Sequence, residues 1–354
     1  MMDKTSLFWG LAFGVIITIS TSSIINWFRS KNKDEGDEDN DANFKGRNAK
    51  IVDGGSPKDR VALNIINFAE DRGLIRPNSG CTIFEGTSGS TGISIAMISR
   101  AKGYDAWIVI PDDQAEEKYA LLEKLGATVE KVRPASIVDK LQFVNLAKSR
   151  AEEFGKSDKD KQDSESKEYE PAESKTGFFA DQFENLSNYE AHLKGTGPEI
   201  YRQTGGKIDA FVSGAGTGGT IAGVSRYLKP LIPNLRVFLV DPPGSGLYNK
   251  VKYNIMYSPF EAEGTRRRHQ VDTVVEGVGL NRTTGNFNAS MGFIDDAILV
   301  TDEEAVSMAR YLVREEGLFV GSSTAINCVG CVRVARKLGP GHRIVTILCD
   351  SGQR

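Results

Sequence analysis

The chain has 354 residues, and its 44 Lys and Arg against 47 Asp and Glu give a formal net charge of -3. This near-neutral balance argues against a protein that holds nucleic acid through a basic surface. Four Cys in this length make no disulfide scaffold. At roughly 100 to 200 residues per domain, the chain is long enough for two domains.

The first predicted element is an uncharged stretch, residues 7–28, with Trp9 and Trp27 near its ends. A helix of this length spans a hydrocarbon core about 30 Å thick, which predicts a transmembrane anchor. The alternative is a cleaved signal peptide, because residues 7–19 fit an apolar core followed by small residues. Basic residues follow the stretch more than they precede it, which places the remainder in the cytosol and favours the mitochondrial outer membrane over the endoplasmic reticulum.

Two charged segments divide the remainder of the chain. Residues 29–50 form an acidic linker, and residues 156–175 form a low-complexity insertion of mixed charge. Both patterns are typical of solvated segments without a packed core. They separate a predicted smaller domain, residues 51–155, from a larger one, residues 176–354.

Within both domains, short apolar runs alternate with helical patterns, which predicts parallel sheets in an α/β fold. The predicted helices include residues 93–102, 116–125, 221–228 and 303–316. The predicted strands are residues 81–84, 107–110, 128–132, 210–212, 237–240 and 344–348. Ligands in such folds bind at the carboxyl ends of the strands, so the loops there are the candidate sites.

Two of these loops are rich in Gly, and each lies between a strand and a helix. Residues 85–92 read EGTSGSTG, and residues 214–220 read GAGTGGT. Gly allows the backbone to turn its N–H groups outward, and the helix N-terminus adds partial positive charge, so each loop suits a carboxylate or a phosphate. A tight structural turn is the alternative for either loop alone, and it is weaker for the pair.

The second loop also matches G-x-G-x-x-G, and Asp241 ends a predicted strand about 20 residues on, so a nicotinamide-binding enzyme is a further alternative. The remaining motifs are weaker evidence for a function. Cys328 and Cys331 form a C-x-x-C pair inside a predicted buried helix, which favours core cysteines. The three His are scattered, and nothing in the sequence predicts a metal site.

A third candidate is Lys58 in the motif GGSPKDR at residues 54–60, directly before an amphipathic helical pattern. The positive end of the helix dipole disfavours a protonated amine, and a neutral amine is what Schiff-base chemistry requires. A solvated lysine in a first helical turn is the alternative. The two anion-binding loops elsewhere in the chain favour the reactive lysine over this alternative.

These motifs occur in an order that resembles the fold-type II pyridoxal-phosphate (PLP) enzymes, most closely the cysteine synthase and cystathionine β-synthase branch. The resemblance rests on SPKDR, EGTSGSTG, Gln182-Phe183, TGPEI at residues 196–200, GAGTGGTIAG, GVG at 277–279 and EEGLFVGSSTA at 315–325. It implies two three-layer αβα domains with mostly parallel twisted sheets, and a homodimer.

The resemblance also implies roles for individual residues. Lys58 matches the lysine that holds PLP and moves the Cα proton, and Ser323 matches the partner of the pyridine nitrogen. A neutral hydroxyl there suits β-elimination. The phosphate would be held by Gly216, Thr217, Gly218, Gly219 and Thr220. The substrate carboxylate would be held by Thr87, Ser88, Gly89, Thr91 and Gln182.

The implied reaction is β-replacement: O-acetylserine or a related serine derivative loses its leaving group to give an aminoacrylate, and sulfide adds to form cysteine. The alternatives are a cystathionine β-synthase-like or serine dehydratase-like activity, or a catalytically impaired anchored scaffold. Two departures motivate the last. Ser90 stands in the cofactor-binding loop where the family has Asn, and residues 29–52 show no strand pattern, which predicts an incomplete sheet edge.

Overall fold

The computed structural model describes the backbone of residues 16–20 and residues 55–154, 176–258 and 273–352. Nine strands are found in this part of the chain, and they alternate with helices. The strands are β1 Ile16–Ser20, β2 Thr82–Gly86, β3 Asp105–Pro111, β4 Thr128–Val132, β5 Gly177–Phe179, β6 Ala210–Gly214, β7 Arg236–Asp241, β8 Asp296–Leu299 and β9 Ile344–Leu348.

The helices are numbered in chain order, with one π-helical turn, His192–Thr196, between the fifth and the sixth. They are α1 Pro57–Asp71, α2 Ser90–Lys102, α3 Glu116–Lys124, α4 Phe143–Glu153, α5 Ser187–Ala191, α6 Gly197–Thr204, α7 Gly219–Leu231, α8 Leu247–Tyr253, α9 Gly285–Asn288, α10 Asp302–Glu316 and α11 Ser322–Leu338.

The described strands form two sheets, ordered β1-β9-β6-β7-β8 and β4-β3-β2-β5. All pairings between these strands are parallel. The predicted α/β fold with parallel sheets is therefore confirmed. Each predicted strand lies within an observed strand, except that residue 81 comes just before β2. The four-stranded sheet takes strands from both sides of residues 156–175. The boundaries at 51–155 and 176–354 stay a prediction.

Successive core residues of the five-stranded sheet point to opposite faces. Phe211 and Leu239 pack in one apolar cluster with residues of α7, whereas Val212 and Val240 pack in another with residues of α11. The apolar runs in the sequence are continuous because helices cover both faces of a parallel sheet. The four-stranded sheet is built alike, with α1, α2 and α3 on one face and α4 on the other.

The predicted transmembrane helix over residues 7–28 is wrong for residues 16–20. These form β1, which pairs with β9 from Ile16 opposite Ile344 to Ser20 opposite Leu348. In the described residues, no helix is long and apolar enough to cross a membrane. β1 forms one edge of the five-stranded sheet. The predicted lack of strands concerned residues 29–52, which lie outside the described residues. The rest of 7–28, the linker 29–50 and the insertion 156–175 lie outside the described residues.

Candidate active site

A cavity of about 330 Å³ lies where the carboxyl ends of the two sheets face each other. Its walls come from the start of α1, the loops after β2 and β6, and the residues around β9. Every site residue predicted from the sequence lines it: Lys58, Thr87, Ser88, Gly89, Ser90, Thr91, Gln182, Gly216, Thr217, Gly218, Gly219, Thr220 and Ser323. The structure thus brings three motifs that are far apart in the chain into one site.

Lys58 is the second residue of α1, which agrees with the predicted position near a helix N-terminus. Ser56 caps the helix by accepting a hydrogen bond from the backbone N of Lys58 at 3.2 Å, and Asp59 accepts one from the backbone N of Ser56 at 3.3 Å. The carboxylate of Asp59 is buried and also accepts from Ser94 Oγ at 2.7 Å. This capping box fixes the first turn of α1 and so directs the lysine into the cavity.

The first Gly-rich loop connects β2 to α2 and is held from behind by Gln182. The Thr91 hydroxyl donates to Gln182 Oε1 at 2.6 Å, and Gln182 Nε2 donates to Glu85 Oε1 at 3.3 Å. Gly89 at the N-cap of α2 makes no side-chain cap. In the first turn of α2 the backbone N of Gly92 donates to the Gly89 carbonyl at 3.1 Å, whereas no acceptor is found for Ser90 and Thr91 N–H among the described residues. These two N–H groups are open to a ligand, and a carboxylate is the group they favour.

Glu85 is fully buried beneath this loop, and burial raises its pKa well above the usual value, with the nearby Asp181 adding to the shift. Asp181 has a φ of 52°, in the left-handed region that non-Gly residues rarely adopt. The backbone carbonyl of the next residue, Gln182, accepts hydrogen bonds from Asn188 and Asn286. These contacts make Gln182 a rigid support.

The second loop forms a cradle that only Gly can build at two positions. A Cβ at Gly216 would collide with the carbonyl oxygen of Gly277, and a Cβ at Gly218, whose φ is 84°, would lie 2.6 Å from Phe287 Cα. In the described part of the chain, the backbone N–H groups of Gly216, Thr217 and Gly218 have no acceptor. Free N–H groups before a helix N-terminus fit a phosphate.

His192 supports this cradle, and sequence reasoning missed it. The buried imidazole contacts Thr220 Oγ1 through Nε2 at 3.2 Å and Thr196 Oγ1 through Nδ1 at 2.9 Å. Burial first, then the charges of Lys58 and Arg60, lower its pKa to about 3, so the ring is neutral. Thr196 belongs to the TGPEI motif, which was the available signal.

The opposite wall comes from the end of β9 and the start of α11. Cys349, Asp350 and Ser323 line the cavity there. Burial raises the pKa of Cys349 to about 11, so its thiol stays protonated. Ser90 Oγ donates a hydrogen bond to Asp350. Sequence reasoning missed Cys349 and Asp350, since nothing in the sequence shows that residues 260 positions apart meet.

Asp241 and the C-x-x-C pair both lie in the core, away from the cavity. Asp241, the candidate ribose-binding acid, is fully buried, accepts from the backbone N of Tyr248 at 2.7 Å, and is absent from the cavity wall. The nicotinamide alternative therefore lacks its acid. Cys328 and Cys331 are buried in α11, and burial raises the pKa of both thiols, as expected for core cysteines.

Comparison with known proteins agrees with this geometry. A family model described as "Pyridoxal-phosphate dependent enzyme" matches residues 47–350. The chain therefore belongs to the family of pyridoxal-phosphate-dependent enzymes.

Individual relatives within this family are named for more specific activities. The chain is 58% identical over 301 residues to "Cysteine synthase 2" of Emericella nidulans, an alignment that covers 85% of this chain and 69% of the relative. It is 59% identical over 303 residues to "Cysteine synthase 2" of Neurospora crassa, covering 85% of this chain and 64% of the relative. A crystal structure of O-ureido-L-serine synthase is similar with a TM-score of 0.68 and 29% identity, over 85% of this chain and 82% of that one.

The residues present fit PLP. The cradle from Gly216 to Thr220 offers free N–H groups to a phosphate, and the lysine at the start of α1 shares the same cavity. Ser323 supplies a neutral hydroxyl at the start of α11. The donor set is therefore a phosphate site, an amine and a neutral polar contact, which together match the phosphate, aldehyde and ring nitrogen of this cofactor.

Proposed function

We propose that this chain forms L-cysteine from O-acetylserine, or a related activated serine, and sulfide with PLP as cofactor. The observation that carries the proposal is the single cavity that holds Lys58, a carboxylate-binding loop and a phosphate cradle. The names of the relatives at 58% and 59% identity support the same reaction.

In this proposal each part of the cavity has one task. The loop from Thr87 to Thr91 binds the substrate carboxylate and so orients the Cα–H bond. The Lys58 amine accepts the Cα proton, after which the leaving group departs from Cβ and sulfide takes its place. Bound PLP supplies the electron sink for this step, and a neutral partner at Ser323 keeps the sink moderate. Cys349 stays a thiol and does not act as a second base.

The test is cysteine formation by the purified full chain loaded with PLP. We expect activity with O-acetylserine and sulfide, and a loss of at least about a thousandfold in Lys58→Ala, because this variant lacks the amine that takes the Cα proton in the proposal. Lys102→Ala is the matched control, since Lys102 forms an ion pair with Glu70 and is absent from the cavity wall. Wild-type protein that binds PLP and forms no cysteine would contradict the proposal.

The same assay separates the alternatives. O-acetylserine, O-phosphoserine and serine are each combined with sulfide or homocysteine, and pyruvate formation is followed in parallel. Cystathionine or pyruvate as the main product would favour the cystathionine β-synthase-like or dehydratase-like activity. A chain that takes up PLP without turnover of any pair would favour the scaffold.

Two further proposals rest on the sequence and the family. We infer a homodimer, which light scattering on the purified chain would test. We also propose a location at a membrane, with the mitochondrial outer membrane favoured and the catalytic part facing the cytosol. This proposal rests on the apolar composition of the N-terminal stretch and the basic residues after it, and not on a helix through residues 16–20. A fluorescent tag at the C-terminus tests the location, and a diffuse signal would contradict it.

A further inference from the structure

The contact between Ser90 and Asp350 crosses the cavity from one sheet to the other. Ser90 is the first residue of α2, which belongs with the four-stranded sheet, and Asp350 follows β9 of the five-stranded sheet. The Ser90 hydroxyl donates its hydrogen bond to Asp350 Oδ2. Both residues line the cavity, so the contact forms part of its wall.

The backbone holds Asp350 in this position. Its carbonyl oxygen accepts from the backbone N of Gly321 at 3.0 Å, and the backbone N of Ser351 donates to the Gly55 carbonyl at 3.1 Å. A Cβ at Gly321 would lie 3.6 Å from the Cβ of Asp350. The carboxylate therefore stands close to the start of α11 as well as the start of α2, and neither helix has a side-chain N-cap of its own.

A helix N-terminus attracts a neighbouring carboxylate, and Asp350 lies beside the starts of both helices. The start of α2 is also the place where the loop from Thr87 to Thr91 would bind the substrate carboxylate. Two like charges in one partly buried cavity repel each other strongly, because the medium screens them less than water does. Asp350 also takes the Ser90 hydroxyl, which is then unavailable to the substrate.

We propose that Asp350 sets the affinity of the site for amino acids, because its charge weakens the binding of their carboxylates beside the start of α2. The proposal rests on the proposed function, since it needs a substrate carboxylate on this loop. Its consequence is a loose hold on substrate and product alike, both of which are amino acids. It also accounts for Ser90, whose short hydroxyl reaches Asp350 instead of the ligand.

The experiment measures equilibrium binding to the PLP-loaded full chain by calorimetry. L-alanine is the probe, because it has the carboxylate and no leaving group, and L-alaninamide is the matched probe without the charge. In Asp350→Asn, which keeps an acceptor for Ser90, we expect L-alanine to bind about threefold to tenfold more tightly. Binding of L-alaninamide should change by less than about twofold.

Asp113→Asn is the control for charge in general, because Asp113 also lines the cavity but lies in the loop after β3. We expect no gain in L-alanine binding there. An equal gain in Asp113→Asn, or no gain in Asp350→Asn, overturns the proposal. Asp350→Ser removes the same charge with a different side chain and should bind L-alanine with the same gain in affinity. This second variant makes the test possible even if Asp350→Asn folds poorly.

The cysteine assay on the same preparations separates this inference from the proposed function. Wild-type protein that makes no cysteine contradicts the function, whereas active protein with unchanged L-alanine binding in both Asp350 variants contradicts only the role of Asp350.

Discussion

His192 Nε2 lies 3.2 Å from the hydroxyl of Thr220, a residue of the phosphate cradle. We infer the direction of this hydrogen bond from its neighbours. Arg60 Nη1 donates to Thr196 Oγ1 at 3.3 Å, so the Thr196 hydroxyl can donate to Nδ1 of the neutral imidazole. The ring proton is then on Nε2 and is donated to Thr220. The Thr220 hydroxyl keeps its own proton for a phosphate.

The first prediction concerns this support. His192→Ala should weaken PLP binding about fivefold to tenfold, the cost of about one buried hydrogen bond. His192→Gln, whose amide can still donate to Thr220, should recover part of the loss. The dissociation constant of PLP from the apoprotein, measured by fluorescence, is the readout. Unchanged PLP affinity in His192→Ala would show that Thr220 needs no partner.

The second prediction concerns the support behind the carboxylate-binding loop. Thr91→Val removes the hydroxyl that donates to Gln182 at 2.6 Å and keeps the shape of the side chain. We expect the KM for O-acetylserine to rise about tenfold with a smaller change in kcat, and the free energy of unfolding to fall by about 1 kcal/mol.

Thr346→Val is the matched control for Thr91→Val. Its buried hydroxyl donates to the Val212 carbonyl at 2.7 Å, away from the cavity wall. It should lose a similar free energy of unfolding and leave the KM unchanged. A rise in KM of equal size in both variants would assign the effect to stability.

The third prediction concerns the cradle. Gly216→Ala places a methyl group against the Gly277 carbonyl, and backbone on both sides cannot move aside cheaply. PLP affinity should fall by more than about tenfold, with a lower melting temperature. Gly195→Ala is the control, because the nearest neighbour of its added methyl is Arg60 Nη1 at 3.9 Å. Full PLP binding by Gly216→Ala would contradict the assignment of this loop.

The fourth prediction concerns Asp241. Burial raises its pKa to about 7 in the folded chain, from an ordinary value of 3.8. Between these values the folded state binds more protons than the unfolded state, so stability is highest at the acid side of the window and falls as the pH rises through it.

Asp241→Asn should remove this dependence. Urea unfolding of both proteins at pH 5 and pH 8 is the measurement, and the wild type should lose on the order of 2 to 4 kcal/mol more than the variant between the two. The comparison between the two proteins cancels the titration of other groups. Parallel pH profiles would show that Asp241 is ionised throughout.

Much of the fold could be predicted from the sequence because its signals are local. Continuous apolar runs such as residues 237–240 reflect strands buried on both faces, and Gly at 216 and 218 reflects a backbone that approaches its neighbours closely. The motif order then placed Lys58 and both loops in one site. The helical prediction over residues 7–28 shows the limit of local signals, since a short apolar run such as residues 16–20 fits a buried strand as well as a helix segment.

What the sequence determined by itself is the class of chemistry: an amine at a helix start and two anion-binding loops, each encoded within a few consecutive residues. The tertiary structure decided which side chains serve them. His192 meets Thr220, and Asp350 meets Ser90, only because parallel strands distant in the chain end at the same edge. Contacts of this kind depend on the packing of the whole sheet, and no local pattern of residues records them.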